Sequence, residues 1–209
     1  MKKKTLWLVI PILLVSIVLP AVVFSKQKEG EKMEEKRVVM IIASKNFRDE
    51  ELQKPKSILE KQGIKVVIAS TTKDVVTGML GATAKPDILI SELKVMDYDA
   101  IVFVGGGGAS EYWNDPIAHA IIQEAVKQGK ILCAICIAPV TLANAGVLKG
   151  KRATVWPTEQ DKLKAKGALY TGKKVEVDGN IITGSGPKAA KEFGKAIVKA
   201  LTAAAQPSE

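Results

Sequence analysis

Two cysteines and one histidine are the only thiols and imidazole in this 209-residue chain. Cys136 directly follows the apolar run "ILCAI", and Pro139 suits the first turn of a helix through "VTLANAG". A thiol at such a strand-to-helix corner meets unpaired backbone N–H groups and the positive end of the helix dipole, which favour the thiolate. The N–H of Ile137 points the same way. A second N–H, from the glycine run Gly105–Gly108, would complete an oxyanion hole, because glycine lets the backbone approach a ligand closely. The chemistry implied is nucleophilic attack on a carbonyl.

Cys133, inside the apolar run, reads as a small core residue. The C-x-x-C spacing does not make a redox pair. Three residues of extended strand span roughly 10 Å, beyond the ~7 Å Cα limit for a disulfide. The sequence offers no further Cys or His cluster, so neither a metal nor a cofactor is expected. His119 shares the polar side of its helix with Gln123 and Lys127, opposite Ile117, Ile121 and Ile122, and is expected to be solvated.

Strand-like and helix-like patterns alternate from Arg37 onward. "RVVMIIAS", "IKVVIAS" and "YDAIVFV" are continuous apolar runs rich in β-branched residues, as expected of strands covered on both faces. "DEELQKPKSILEKQG" reads as a helix ending at Gly63, with Pro55 in its first turns or bending it. "NDPIAHAIIQEAVKQG" is a helix capped by Asn114 or Asp115, with Pro116 at its first position and Gly129 as its stop. Thr71–Leu93 reads as a short hairpin or edge excursion, and "RATVW" as a short strand. A helix is expected around "TEQDKLKAKG", a strand pair turning at Asp178-Gly179, and an amphipathic C-terminal helix. This order implies one doubly wound, flavodoxin-like α/β domain over residues 37–209, with a mostly parallel sheet and a cysteine elbow.

Residues 1–24 read differently. "MKKKT" precedes the apolar run Leu6–Phe24, which nearly matches a hydrocarbon core of about 30 Å. It reads as a membrane anchor or a cleaved export signal, with Val23 and Ser25 as a small-residue processing site. Lys2–Lys4 favour a cytoplasmic N-terminus and an extracytoplasmic domain. Residues 25–36 are a charged linker. The chain carries a formal charge of +9, and the part from Arg37 onward keeps a surplus of six basic residues, dispersed and without aromatic interleaving. Nucleic-acid binding is therefore not expected; solubilising charge is the plainer account.

Four stretches, "FRDEELQKPKSILEKQG", "DAIVFVGGGG", "AICIAPVTLANAGVLKGKRAT" and "VDGNIITGSGP", together resemble the ThiJ/PfpI superfamily of class I glutamine amidotransferase-like folds, over nearly everything from Arg37 to Ala205. The resemblance implies Cys136 as nucleophile, Glu51 as its acidic partner, and Gly106 N–H with Ile137 N–H as oxyanion donors. It also implies a homodimer. A protonated Glu51 can donate to the thiolate, whereas an ionised one repels it, so Glu51 should be shifted upward and titrate with Cys136 as a pair. Asp49 and Glu50 read as serving the helix dipole.

Two departures bear on function. Ile137 stands where peptidase-like members have histidine, and Trp156 where deglycase-like members often have one. Without an imidazole to protonate an amine leaving group, proteolysis and glutamine hydrolysis are disfavoured. A glyoxalase- or deglycase-like thiol enzyme acting on small reactive carbonyls is expected, with Gly107 and Trp156, and Tyr112 or Trp113, shaping the pocket. A non-catalytic oxidant sensor or binding module stands beside it, as does an inert tethered shell.

Overall fold

The computed structural model describes residues 36–203, so the expectations for residues 1–24 and most of the linker lie outside the described residues. Among the described residues, no helix is long and apolar enough to cross a membrane.

In chain order, β1 (Arg37–Ile41) leads to α1 (Asp49–Glu60) and β2 (Lys65–Ser70). A small hairpin of β3 (Val76–Thr77) and β4 (Thr83–Ala84) precedes the edge strand β5 (Ile88–Leu89). Then come β6 (Ala100–Phe103), α2 (Pro116–Lys127), β7 (Ile131–Ile135) and α3 (Pro139–Asn144). An excursion of β8 (Arg152–Ala153), α4 (Gln160–Ala165) and β9 (Leu169–Tyr170) follows. β10 (Val175–Asp178), β11 (Ile181–Gly184) and α5 (Ala190–Ala203) complete the described chain.

The seven-stranded sheet runs β10-β11-β7-β6-β1-β2-β5, parallel except for β10. Its β-branched runs are continuous because both faces are covered. Val38 and Met40 pack towards α1 and α5, while Val39 and Ile41 face the core shared with α2 and α3. Burying such side chains contributes about 1.5–3 kcal/mol each. From the central β1 the chain builds outwards through β2 on one side and through β6 and β7 on the other. The loops leaving β1 and β6 therefore part at the carboxyl ends of these strands, where open α/β sheets hold ligands.

Pro55 is the seventh residue of α1, in its second turn as expected, and α5 comes close to it at Gly194. Some local expectations need correction. "RATVW" is strand only at Arg152–Ala153, which pairs with β9 in a separate two-stranded sheet. Beyond it the backbone bonds to other groups. Thr154 N–H donates to Thr183 Oγ1 (2.9 Å), and Trp156 N–H to the Cys136 carbonyl (2.8 Å). Ile117 is exposed, so the buried side of α2 is Ala118, Ile121, Ile122 and Ala125.

Candidate active site

Among the described residues, Cys136 is one of two non-glycine residues with positive φ, at 63°. Such a backbone is strained by about 1–3 kcal/mol and persists only where its surroundings fix it. Here Cys136 N–H donates to the Gly184 carbonyl (2.9 Å), while its own carbonyl is held by Trp156. The chain can thus leave β7 and enter α3 in three residues, turning the side chain out of the sheet. Cys136 is 8 % exposed, whereas Cys133 is sealed in the core facing α1 and α5, and both are free thiols.

The loop after β6 approaches so closely that side chains are excluded. A Cβ on Gly105 would overlap Cys136 Cβ and Glu51 Oε2, and Gly106, at φ 102°, would drive one into the Asn46–Arg48 backbone. Arg48 N–H locks this contact by donating to the Gly105 carbonyl (2.9 Å). The Gly106 and Ile137 N–H groups both face the Cys136 sulfur, and the Gly105 N–H faces Glu51. α3 has only six residues and starts beyond Ala138. The positive potential at the sulfur therefore comes from these individual N–H groups more than from a helix dipole.

Glu51, in the first turn of α1, is fully buried. Neither of its carboxyl oxygens has a well-formed hydrogen bond, although the Cys136 thiol and Gly105 N–H lie near enough to bias its ionisation. Burial pushes Glu51 up to about 8, against the opposing pull of Cys136 and Arg48. Cys136 is itself pushed up, to about 12, first by burial and then by the charge of Glu51, while Gly106 and Ile137 N–H lower it. This corrects the expectation of a simply acidified thiol. The repulsion, however, requires a charged Glu51, and at neutral pH a carboxyl titrating near 8 is mostly protonated. Below that pH the acid is uncharged beside the sulfur and the two N–H groups act without it.

A cavity of about 290 Å³ opens above the sulfur, lined by Arg48, Met79, Gly106, Gly107, Cys136, Ile137, Trp156, Thr158, Glu159 and Pro187. Trp156 lies across Gly186, where a Cβ would stand 2.7 Å from the indole. Both charges on the rim are already paired. Glu50 takes Arg48 with two bonds (2.7 and 3.1 Å), and Lys162 contacts Glu159. Burial opposes ionisation of Glu159, but Lys162 and Thr158 outweigh it and hold the carboxyl below its ordinary range. A larger cavity of about 360 Å³, lined by Val126, Lys130, Asp178 and Ile181 among others, lies at the opposite end of the sheet and contains no thiol.

The structure thus brings Cys136, Glu51, Gly106, Ile137, Gly107 and Trp156 to one place. It leaves Tyr112 out: that ring is buried, with its hydroxyl donating to the Ile42 carbonyl (2.8 Å). Trp113 acts from behind, its indole N–H donating to the Ile137 carbonyl (3.2 Å). His119 is half-buried, not solvated, its Nε2 lies 2.9 Å from the Trp113 carbonyl, and it does not line the cavity. Asp49 does more than face a dipole. Its carboxylate accepts the N–H groups of Leu80 (2.8 Å) and Ala82 (2.7 Å), clasping the β3–β4 hairpin. Sequence reading missed that clasp, along with Met79, Arg48, Thr158, Glu159 and Pro187. Arg48 and Pro187 fall inside the stretches that carry the resemblance but show no sign there of a place in the cavity, Met79, Thr158 and Glu159 fall outside them, and the five come from four separate loops. No group of three or more His, Cys, Asp or Glu able to hold a metal occurs among the described residues.

The model of the DJ-1/PfpI family matches residues 36–200. An uncharacterized protein of Methanocaldococcus jannaschii is 43% identical over 85% of this chain and 88% of its own. A deglycase of Pyrococcus abyssi is 32% identical over 71% of this chain and 90% of its own. A glutathione-independent glyoxalase of Caenorhabditis elegans is 28% identical over 80% of this chain and 89% of its own. The crystal structure of a ThiJ/PfpI domain protein from Brachyspira murdochii superposes with a TM-score of 0.79 at 30% identity, covering 81% of this chain and 99% of the other.

Proposed function

The chain belongs to the DJ-1/PfpI family, and from that premise we propose that it is a cofactor-independent thiol enzyme acting on small reactive carbonyls, in the manner of a glyoxalase or deglycase. The observation that carries the reading is the meeting of Cys136, a raised Glu51 and two inward N–H groups at the floor of a small cavity whose rim charges are already neutralised. Such a cavity offers no free charge to an anionic ligand and suits a small uncharged electrophile. Relatives named deglycase and glyoxalase support the same class.

Under this reading the sulfur bonds to an aldehyde carbon while the carbonyl π pair moves to oxygen. The thiol proton passes to that oxygen, with Glu51 as the relay. Gly106 and Ile137 N–H stabilise the developing oxyanion. With a neighbouring ketone, Glu51 can then carry the C–H proton from the aldehyde carbon to the adjacent carbon while the hydroxyl proton shifts to the ketone oxygen, which completes an internal redox exchange and leaves a thioester whose hydrolysis returns the thiol. No amine needs protonating, so the lack of an imidazole is no obstacle. By the same proposal the N-terminal run holds the domain outside the cytoplasm, as a membrane anchor or an export signal.

The test is methylglyoxal consumption by the full-length chain. Cys136→Ala should lower it by at least about a thousandfold, and Glu51→Gln by about a hundredfold or more. Turnover that survives Cys136→Ala refutes the reading. The missing histidine also favours a second one, an oxidant sensor. Stoichiometric peroxide uptake at Cys136 without carbonyl turnover would select it.

A further inference from the structure

Met79, at the tip of the β3–β4 hairpin, lines the same cavity as Cys136, and the tip is held at several points. Asn46 N–H donates to the Thr77 carbonyl and Met79 N–H to the Phe47 carbonyl, each at 2.9 Å. Asp49, only 4 % exposed and two residues before Glu51, holds Leu80 and Ala82 from beneath. The Met79 backbone is therefore fixed to the helix that carries Glu51. Met79 is 48 % exposed, and its side chain brings the sulfur 3.3 Å from the Gly107 nitrogen in the glycine loop.

Two consecutive donors thus face the cavity in different states. Gly106 N–H faces the Cys136 sulfur, while Gly107 N–H is covered by a thioether. A thioether is a weak acceptor on a flexible chain, so it satisfies the donor at low cost and leaves easily. We propose that Met79 is a specificity-determining residue: its sulfur occupies the Gly107 N–H until the second oxygen of a vicinal dicarbonyl replaces it. The inference rests on the carbonyl reading of this cavity. With the attacked carbonyl oxygen at Gly106 and Ile137, the neighbouring carbonyl oxygen falls to the next donor along the loop. A simple aldehyde has no second oxygen and leaves Met79 in place. The preference for dicarbonyls then comes from one exchanged hydrogen bond, with the strength of the resident acceptor setting its size.

The experiment measures kcat/KM of the full-length chain for methylglyoxal and for propionaldehyde, and compares their ratio across Met79 variants. Met79→Gln keeps the length but puts a strong acceptor on Gly107 N–H, and should lower the ratio about tenfold. Met79→Leu keeps the bulk without any acceptor, and should not lower it. Alkylation of Cys136 by iodoacetamide, which needs neither carbonyl, reports the state of the site. An equal ratio in all three proteins overturns the proposal, as does an equal fall in both variants. Loss of alkylation together with turnover in Met79→Gln would make the side chain structural and also overturn it. If the wild-type chain consumes neither carbonyl, the carbonyl reading itself has failed. If it consumes methylglyoxal through Cys136 and the ratio does not respond to Met79, only this inference fails.

Discussion

Cys133 and Cys136 are three residues apart in the sequence, and their surroundings have little in common. Cys133 lies in mid-strand, wholly buried, with burial alone pushing its thiol far above the ordinary range. Cys136 has left the sheet at a positive φ, faces a cavity, and meets an acid and two backbone donors. Burial raises both thiols, but only the second has neighbours that oppose the rise. The difference arises from where β7 stops. Reactivity belongs to the end of the strand, where backbone N–H groups are no longer used by the ladder, and a side chain three residues earlier cannot reach them.

That contrast can be broken most directly by alkylation. In the native protein Cys136 should react with iodoacetamide while Cys133 waits for unfolding, so their rates, read by peptide mass spectrometry, should differ by at least about a thousandfold. Comparable rates would mean that the strand end confers nothing. Next in size is Gly105→Ala, whose methyl would overlap both Cys136 Cβ and Glu51 Oε2. It should cost about 1–3 kcal/mol of stability and depress methylglyoxal turnover far more than the same change at Gly107, where a Cβ meets open space.

The acid sharpens the comparison through pH. Glu51 is raised from 4.5 to about 8 in the folded chain. Between these values the unfolded chain has released a proton that the native chain keeps, so this group's stabilising contribution is complete below about 4.5 and is lost as pH rises towards 8. Urea midpoints at pH 5 and pH 8 should therefore differ more in the wild type than in Glu51→Gln. In the same variant the midpoint of Cys136 alkylation should fall at alkaline pH, because the charge that raises the thiol is gone. An upward shift would assign Glu51 the opposite electrostatic role. The smallest effect is expected from Cys133→Ala: about 1 kcal/mol of stability from the lost packing, with turnover nearly unchanged.

Elements that carry their own local signal were legible. The β-branched runs read as buried strands because a covered strand needs apolar side chains on both faces, and Asp115-Pro116 marked the start of α2, where Asp115 accepts the Ala118 N–H. The corner at Cys136 was visible in Pro139 following so soon after an apolar run. The roles of Asp49, His119 and Trp113 were not. Each bonds to a backbone group on another segment, Asp49 to residues some thirty positions away, and composition does not record such distances. Tyr112 was misplaced for the same reason, since an aromatic beside a glycine loop can point into the core as readily as into the cavity.

The sequence alone determined the alternation of strand and helix, the parallel sheet that follows from it, and a lone thiol at a strand-to-helix corner. Those features depend on periodicity and on residues a few positions apart. Tertiary structure decided that burial raises Glu51 and Cys136 together, and that a methionine from a distant hairpin covers the second glycine donor. Desolvation and hydrogen-bond geometry are properties of the packed neighbourhood, which exists only once segments far apart in the chain have come together.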